Sequence, residues 1–542
     1  MKKTLLCMGT VILSLTSLVG CGKSSGNEDK YDGDGRLILN LKNVYFDTWD
    51  GSDNYTEMIN EKFNVKIKAS NYDYNEWDGM VYTAINGDNL TDAFHFNLKA
   101  YNFGSSYENW IKVKKMIKPL PEDLSKWPNL QAMISKVSNV DALKVDGKLY
   151  GIPIMNDISN PEKTFSNFTY VYRRDWAKAI DEKNKNKEGY VPVYKEGDIY
   201  TWEEFNRLCA AFNANLPDNK SCVLVDESWG FPSVTNFYKN VPHCYDEDEN
   251  GNAINAFTCD KYISGLEVAK EFVNDKRYYS QDQFNFAANK AKEVYIGGQA
   301  GIFYDNFNTT NYIKFRKGFK KSNKDVDLDD GTAILKIKGP DGKYALEGIE
   351  NWFSMTLFSV DISDQKLEKI LDIIDYLLSE EGTRLAIYGK EGYDYSIVDG
   401  EVVLGRGWEK NIETGEYGPK VNGAKYLRYM ATLGNDTKEY DPYTEVDMDA
   451  FTIVNDWVKE MNKAKEEGML RIVQEPAEID WMSTPTKNNK TESILADANT
   501  FVLKYCFDKI KTINDYKAEF DKDSNWAKIL KEINDKLKDL RK

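Results

Sequence analysis

The stretch that most constrains this chain is residues 145–176, VDGKLYGIPIMNDISNPEKTFSNFTYVYRRDW. It holds two β-rich runs, Lys148–Met155 and Phe168–Arg173, separated by a polar loop with Pro161. Asp146-Gly147 before the first run and Asn156-Asp157 after it are turn formers. Helical patterns lie on both sides, so the chain reads as mixed α/β. Two such strands fit an ordinary hairpin within one sheet. They also fit a hinge, where the chain leaves one lobe and enters another. The local pattern favours the hairpin. With 542 residues the chain has enough length for two or three cores, so a hinge would have lobes to join.

The first thirty residues read as targeting rather than fold. Lys2 and Lys3 precede an apolar run from Leu5 to Val19 that is too short for an ordinary membrane span. The run ends in Leu18-Val19-Gly20-Cys21, small residues before a cysteine, which looks like a lipobox. Residues 1–20 are expected to be a lipoprotein signal peptide cut before Cys21. Residues 21–35, opening with Gly22-Lys23-Ser24-Ser25-Gly26-Asn27, form a flexible tether. Lipid on Cys21 would hold the protein at the outer face of the membrane.

Charge narrows the partners. The formal net charge is −16, and losing Lys2 and Lys3 with the leader makes it more negative. Such a chain is a poor partner for nucleic acid or anionic lipid and suits a neutral ligand. Of seven cysteines, Cys209, Cys222, Cys244, Cys259 and Cys506 remain once Cys7 is removed and Cys21 lipidated. Their spacing matches no zinc pattern, and disulfides and free thiols both stay open. Asp246–Gly251 opens like a calcium loop, but Phe257 stands where the closing Glu is required, so Asn250-Gly251 reads as a hairpin turn. Asp325, Asp327 and Asp329 alternate in the same way, but Asp330 takes the place of the loop glycine. No metal site and no cofactor are expected.

Taken in order, 36–47 reads as a strand, 53–63 as a helix and Val65–Ala69 as a second strand, with Trp77–Ile85 helical. His95 beside aromatics reads as a packed core histidine. Thr201 with Glu204 three residues on is a capping box. Val294–Phe307 reads as a strand entered through Gly297-Gly298, and Ser354–Val360 as a buried strand. Lys366–Ser379 is an amphipathic helix, and Trp526, Ile529, Ile533 and Leu537 lie at helical spacing within 507–540.

DGKLYGIP followed by YVYRRDW resembles the crossover segment of bacterial extracellular solute-binding proteins of the family 1 type. Other blocks are similar to that family in order and spacing. Asn86–Asn97 is similar to its G-D-x-P-D segment, with Thr91 where the family usually has Pro. Thr201–Phe205, Val294–Phe307, the run SEEGTRLAIYGKEGYDYSIVDGEVV and the last helix in 507–540 follow. The resemblance implies an α/β, two-lobe periplasmic-binding-protein-like (type II) fold with hinge crossovers and a helical C-terminal region. Residues 36–160 with 346–385 would form lobe 1, and 161–345 with 386–542 lobe 2. It further implies a monomeric binding protein, not an enzyme, that delivers an oligosaccharide to the permease subunits of an ABC importer.

The residues carry a parallel argument for a sugar. Sugar recognition sets flat aromatic faces against C–H surfaces and planar polar groups against hydroxyls. Several loops combine the two: Trp49 with Asp50, Phe96 with Asn97, Asn156 with Asp157, Trp229, Tyr304-Asp305-Asn306, Trp352 after Asn351, and Tyr393. These residues are expected to line a cleft between the lobes, with Trp49, Trp229 and Trp352 as stacking platforms. No nucleophile elbow, phosphate loop or metalloprotease motif appears. A surface glycoside-processing enzyme and a glycan-sensing lipoprotein that feeds no transporter are the alternatives. The lipobox reading is checked by Cys21→Ser: fractionation should find the variant folded and released from the membrane, whereas retention in the membrane fraction would refute the anchor.

Overall fold

In the computed structural model the described residues are 29–541, apart from 74–75, 98–102, 159–160, 162, 216–222, 225–230, 239–243, 279–289, 406–421, 434–444, 481 and 483. The leader with Cys21, together with Cys222 and Trp229, therefore lies outside them. Two five-stranded sheets organise the chain. The first, in spatial order, contains Val65–Asn71, Leu37–Asn43, Ala93–Phe96, Trp352–Phe358 and Gly151–Met155. The second contains Ile199–Tyr200, Ala333–Ile337, Phe168–Tyr172, Ile302–Asn306 and Val223–Leu224. Each sheet carries its own apolar core, so the molecule has two lobes.

Local chemistry accounts for the elements. Leu37, Leu39 and Leu41 alternate inward along the first strand, while Ile38, Asn40 and Lys42 are less covered. The helix Asn54–Phe63 starts where the Asp53 carboxylate accepts the Tyr55 and Thr56 backbone N–H groups at 2.9 and 3.0 Å. The capping box forms as expected: the Glu204 backbone N–H donates to the Thr201 hydroxyl at 3.3 Å, and the Thr201 N–H to the Glu204 carboxylate at 2.9 Å. In the second lobe Tyr170, Tyr172, Ile302 and Leu335 face one core, while Val171, Phe303 and Ile334 face another on the opposite side of the sheet. Covering both faces explains why these strands read as nearly continuous apolar runs.

The pair of strands in 145–176 is a hinge and not a hairpin. Gly151–Met155 pairs with Trp352–Phe358 in the first sheet, whereas Phe168–Tyr172 pairs with Ile302–Asn306 and Ala333–Ile337 in the second. Strand direction then fixes which ends face the hinge. In lobe 1 these are the ends at Asn43, Phe96, Met155 and Trp352. In lobe 2 they are Phe168, Asn306, Ile337 and Leu224.

Four sequence expectations need correction. Lobe 1 resumes at about Asn351 rather than 346, because Tyr344–Glu347 pairs in parallel with Leu470–Val473 of the second lobe. Residues 386–542 do not all join lobe 2, since Ala424, Leu427, Met430 and Ala431 pack in the first core. The chain returns to the second lobe's core at Ala450. Residues 294–296 are not strand: a helix, Lys290–Ile296, ends at Gly297-Gly298, and the strand begins at Ile302. The last helical stretch is two helices, Ile513–Asp521 and Ser524–Leu540, separated where Asp523 caps the second. The 246–251 turn, by contrast, is a hairpin between Tyr245–Glu247 and Ala253–Asn255, with Asp248 accepting from the Asn250 and Asn252 N–H groups.

Gly151 of the DGKLYGIP run earns its place by proximity. A Cβ there would lie 2.6 Å from the Thr356 carbonyl oxygen and 2.7 Å from a Leu357 methyl. Gly151→Ala should therefore cost about 1–3 kcal/mol through overpacking, read as a lower urea midpoint at unchanged slope.

Candidate functional site

The space between the lobes begins at the hinge, where three passes of the chain meet. On the lobe 1 side, the Met155 N–H donates to the Ala431 carbonyl at 2.9 Å, and the Leu433 N–H donates to the Met155 carbonyl at 2.8 Å. The Asn156 N–H donates to the Asn351 carbonyl at 2.9 Å, and its side-chain amide to the Glu350 carbonyl at 2.9 Å. On the lobe 2 side, the Ser166 N–H reaches the Glu347 carbonyl at 2.9 Å and the Ile349 N–H the Thr164 carbonyl at 3.0 Å. Asn156 thus sits at the hinge, half-buried, with Asp157 beside it.

The aromatic platforms expected in lobe 1 are occupied by the protein itself. Trp49 is 5% exposed. Its ring stacks on Tyr426 at 5.3 Å and 12°, and its indole N–H donates to Asp53 at 2.6 Å. Trp352 is fully buried, with its indole N–H on the Ser138 carbonyl at 3.0 Å. Phe96 is fully buried against Trp110 at 4.7 Å. All three are core residues: Tyr426 of the returning segment covers Trp49, Ser138 lies on Trp352, and Trp110 packs on Phe96. His95 is a core residue as expected. It lies between Asn43 at 2.9 Å and Ser354 at 2.5 Å, and burial holds its pKa well below 6.5, so the ring is neutral.

The polar members lie nearer the surface. Asp50 is exposed and accepts from the Ser52 hydroxyl and backbone N–H, which lowers its pKa. Asn97 is half-buried at the hinge-facing end of its strand, and Tyr393 is 62% exposed. Beside Tyr393 the Asp394 carboxylate accepts from the Tyr55 hydroxyl at 2.9 Å, which ties that loop to the N-terminal turn of Asn54–Phe63. In lobe 2 the expected cleft ring Tyr304 is also a core residue, 7% exposed with its ring against Phe168 at 5.8 Å and Tyr170 at 4.8 Å, and it is followed by half-buried Asp305 and Asn306. Lys292 approaches Asp305 at 4.0 Å. The Asn306 Oδ1 is buried without a hydrogen-bond partner, and so is the Asn236 Oδ1. An unpaired buried acceptor costs about 1–3 kcal/mol. Asn236 and Tyr304 line one cavity of about 30 Å³, room for a water or two and not for a sugar ring.

A larger space opens elsewhere between the lobes. Tyr107, Lys112, Leu143 and Asp146 of lobe 1 face Glu478, Met482, Lys536 and Leu540 of lobe 2 across a groove of about 470 Å³, a volume in the range of small-molecule sites. Lys112 is fixed by Glu108 at 2.8 Å and Asp146 at 3.0 Å, and these partners raise its pKa. Nearby the helix Pro485–Cys506 of lobe 2 comes up against Phe103–Lys112 of lobe 1. Sequence reasoning missed this groove. Its walls come from opposite ends of the chain, and no local motif marks them.

Comparison with known proteins extends over almost the whole molecule. An extracellular solute-binding protein from Bifidobacterium longum subsp. infantis superposes with a TM-score of 0.62 at 13% identity, over 93% of this chain and 100% of that one. Alginate-binding protein AlgQ2 without calcium ion gives 0.59 at 14% identity, over 92% and 97%. The S. pneumoniae ABC-transporter substrate binding protein FusA, in complex with kestose, gives 0.56 at 14%, over 93% and 100%. No protein-family model and no curated protein matches the sequence.

The burial of the tryptophans has a direct consequence. Trp352→Ala should lower stability by about 3–5 kcal/mol, measured by chemical denaturation. A near-unchanged midpoint would return Trp352 to the cleft. Two cores, crossovers hydrogen-bonded at a hinge and near-complete superposition together give this chain the two-lobed fold of extracellular solute-binding proteins.

Proposed function

We propose that this protein is a lipid-anchored solute-binding protein. It captures a neutral oligosaccharide between its lobes and hands it to the permease of an ABC importer. The observation that carries the reading is the two-lobed architecture, shared over more than nine-tenths of the chain with proteins described as binding alginate or kestose. The net charge of −16 favours a neutral sugar over a uronate, which would meet a repulsive field. The lipobox at Cys21 supports retention at the outer membrane face, and no described helix is long and apolar enough to cross a membrane.

In this reading the ligand lies against the hinge-facing strand ends. Asp50, Asn97, Asn156, Asp157, Asp305 and Asn306 supply hydrogen-bonding groups, and Tyr393 and Trp229 supply rings. Recognition needs no bond cleavage: lobe closure buries the sugar, and its release is driven by the transporter. The protein acts as a monomer without cofactor.

Calorimetry with a panel of oligosaccharides tests this directly. Neutral trisaccharides and tetrasaccharides should bind saturably and be recovered intact, while uronate oligomers should not bind. Trp229→Ala should weaken binding roughly 5- to 150-fold, by analogy with base stacking on aromatic rings. Hydrolysis of the bound sugar, or no neutral sugar bound at all, would overturn the proposal.

A further inference from the structure

The hinge contains a buried carboxylate with neighbours in both lobes. Glu350, 6% exposed, lies on the second crossover. Its Oε2 accepts from the Ser138 hydroxyl. Its Oε1 accepts from the Asn139 side-chain amide at 2.8 Å and from the Gln474 side-chain amide at 3.5 Å. Ser138 and Asn139 belong to lobe 1, whereas Gln474 directly follows the Leu470–Val473 strand of lobe 2. All three donors are neutral, so the charge is held only by hydrogen bonds.

The flanking residues make Glu350 a pivot. One residue on, Asn351 is locked to lobe 1: its Oδ1 accepts the Ser138 N–H at 2.9 Å, and its amide donates to the Lys136 carbonyl at 2.6 Å. The same amide donates to the Pro161 carbonyl at 2.9 Å, which fastens the first crossover to the second. Two residues before Glu350, the Gly348 N–H donates to the Val473 carbonyl at 2.8 Å. A Cβ on Gly348 would lie 2.6 Å from the Gln474 Oε1, so side chain 474 occupies space that only glycine leaves free. The chain is therefore fastened to lobe 2 at 348 and to lobe 1 at 351. Of the three bonds to Glu350, only the one from Gln474 spans the pivot. At 3.5 Å it is also the one at the edge of hydrogen-bonding distance, and so the one that a rotation of lobe 2 makes or breaks.

We propose that the Glu350–Gln474 bridge restrains lobe 2 in the arrangement seen here, with the 470 Å³ groove open, and so sets the cost of closing the lobes. Glu350 acts as a positioning residue and touches no ligand. The inference rests on the hinge-bending reading above. Bonds to a charged acceptor are the stronger kind. At this length the bond is weak, and losing it should raise the population of alternative lobe arrangements roughly two- to fivefold.

The test uses the ligand-free full chain with spin labels on unnatural amino acids at positions 62 and 531. These are exposed lysines of lobes 1 and 2, at 45% and 76% side-chain exposure. Pulsed-resonance distance distributions should be narrow for the parent chain and displaced or broadened in Gln474→Ala. Gly348→Ala, whose Cβ would meet the Gln474 side chain at 2.6 Å and the Ile472 Cγ2 at 2.7 Å, should do the same. Gln474→Lys supplies a charged donor to the carboxylate and should restore the narrow distribution, which a merely packed side chain would not do. Melting temperatures identify any variant that fails to fold. Identical distributions in the parent, Gln474→Ala and Gly348→Ala would overturn the bridge. The readout needs no sugar, so failure to bind oligosaccharide would defeat the transport reading and leave this result interpretable.

Discussion

Everything in this structure depends on how the backbone is satisfied where the chain passes between two cores. A crossing segment leaves one sheet before it joins the next, and its N–H and C=O groups must find partners on the way. Here the passes satisfy one another. Met155 pairs with residues 431–433, Asn156 with Asn351, and residues 164–166 with 347–349. Side-chain amides complete the set, with Asn351 bonded to both Lys136 and Pro161. The hinge is a small hydrogen-bonded knot between two separate cores.

That arrangement determines what the hinge-facing surface offers. Parallel strands in lobe 1 end at the hinge side, the usual location of ligand sites in open α/β sheets. The polar residues there remain half-buried or exposed, while the large rings are already packed. Trp49 has Tyr426 on its face, and Trp352 has Ser138 on its edge. In lobe 2 Tyr304 is packed against Phe168 and Tyr170, with two unpaired amide oxygens nearby.

Much of this was legible in the sequence, and the losses have physical causes. The amphipathic helix read at 366–379 forms as Asp364–Leu378 because its apolar spacing is unambiguous. The buried strand at 354–360 appears as Trp352–Phe358. Local periodicity alone favoured a hairpin for 145–176, since it says nothing about which sheet a strand joins, and it was the DGKLYGIP and YVYRRDW wording that marked the crossover. Val294–Ile296 looks like a strand by its β-branched residues, yet the Gly297 N–H closes a helical turn on the Glu293 carbonyl. Trp49 and Trp352 were misread for a further reason. An aromatic beside an acidic or amide residue at a strand end fits a cleft, and the segment that covers it, 424–431 for Trp49, arrives from far along the chain. The interlobe groove escaped for the same reason: neither wall contains a pattern, and only the fold brings Lys112 toward Lys536.

The central claim is that two lobes close on a sugar about this hinge. Small-angle scattering of the mature protein, free and saturated with a neutral oligosaccharide that binds it in calorimetry, tests that claim most directly. The account predicts a smaller radius of gyration and a shorter maximum dimension on binding. An unchanged scattering curve at full occupancy would mean a rigid site, and would contradict it.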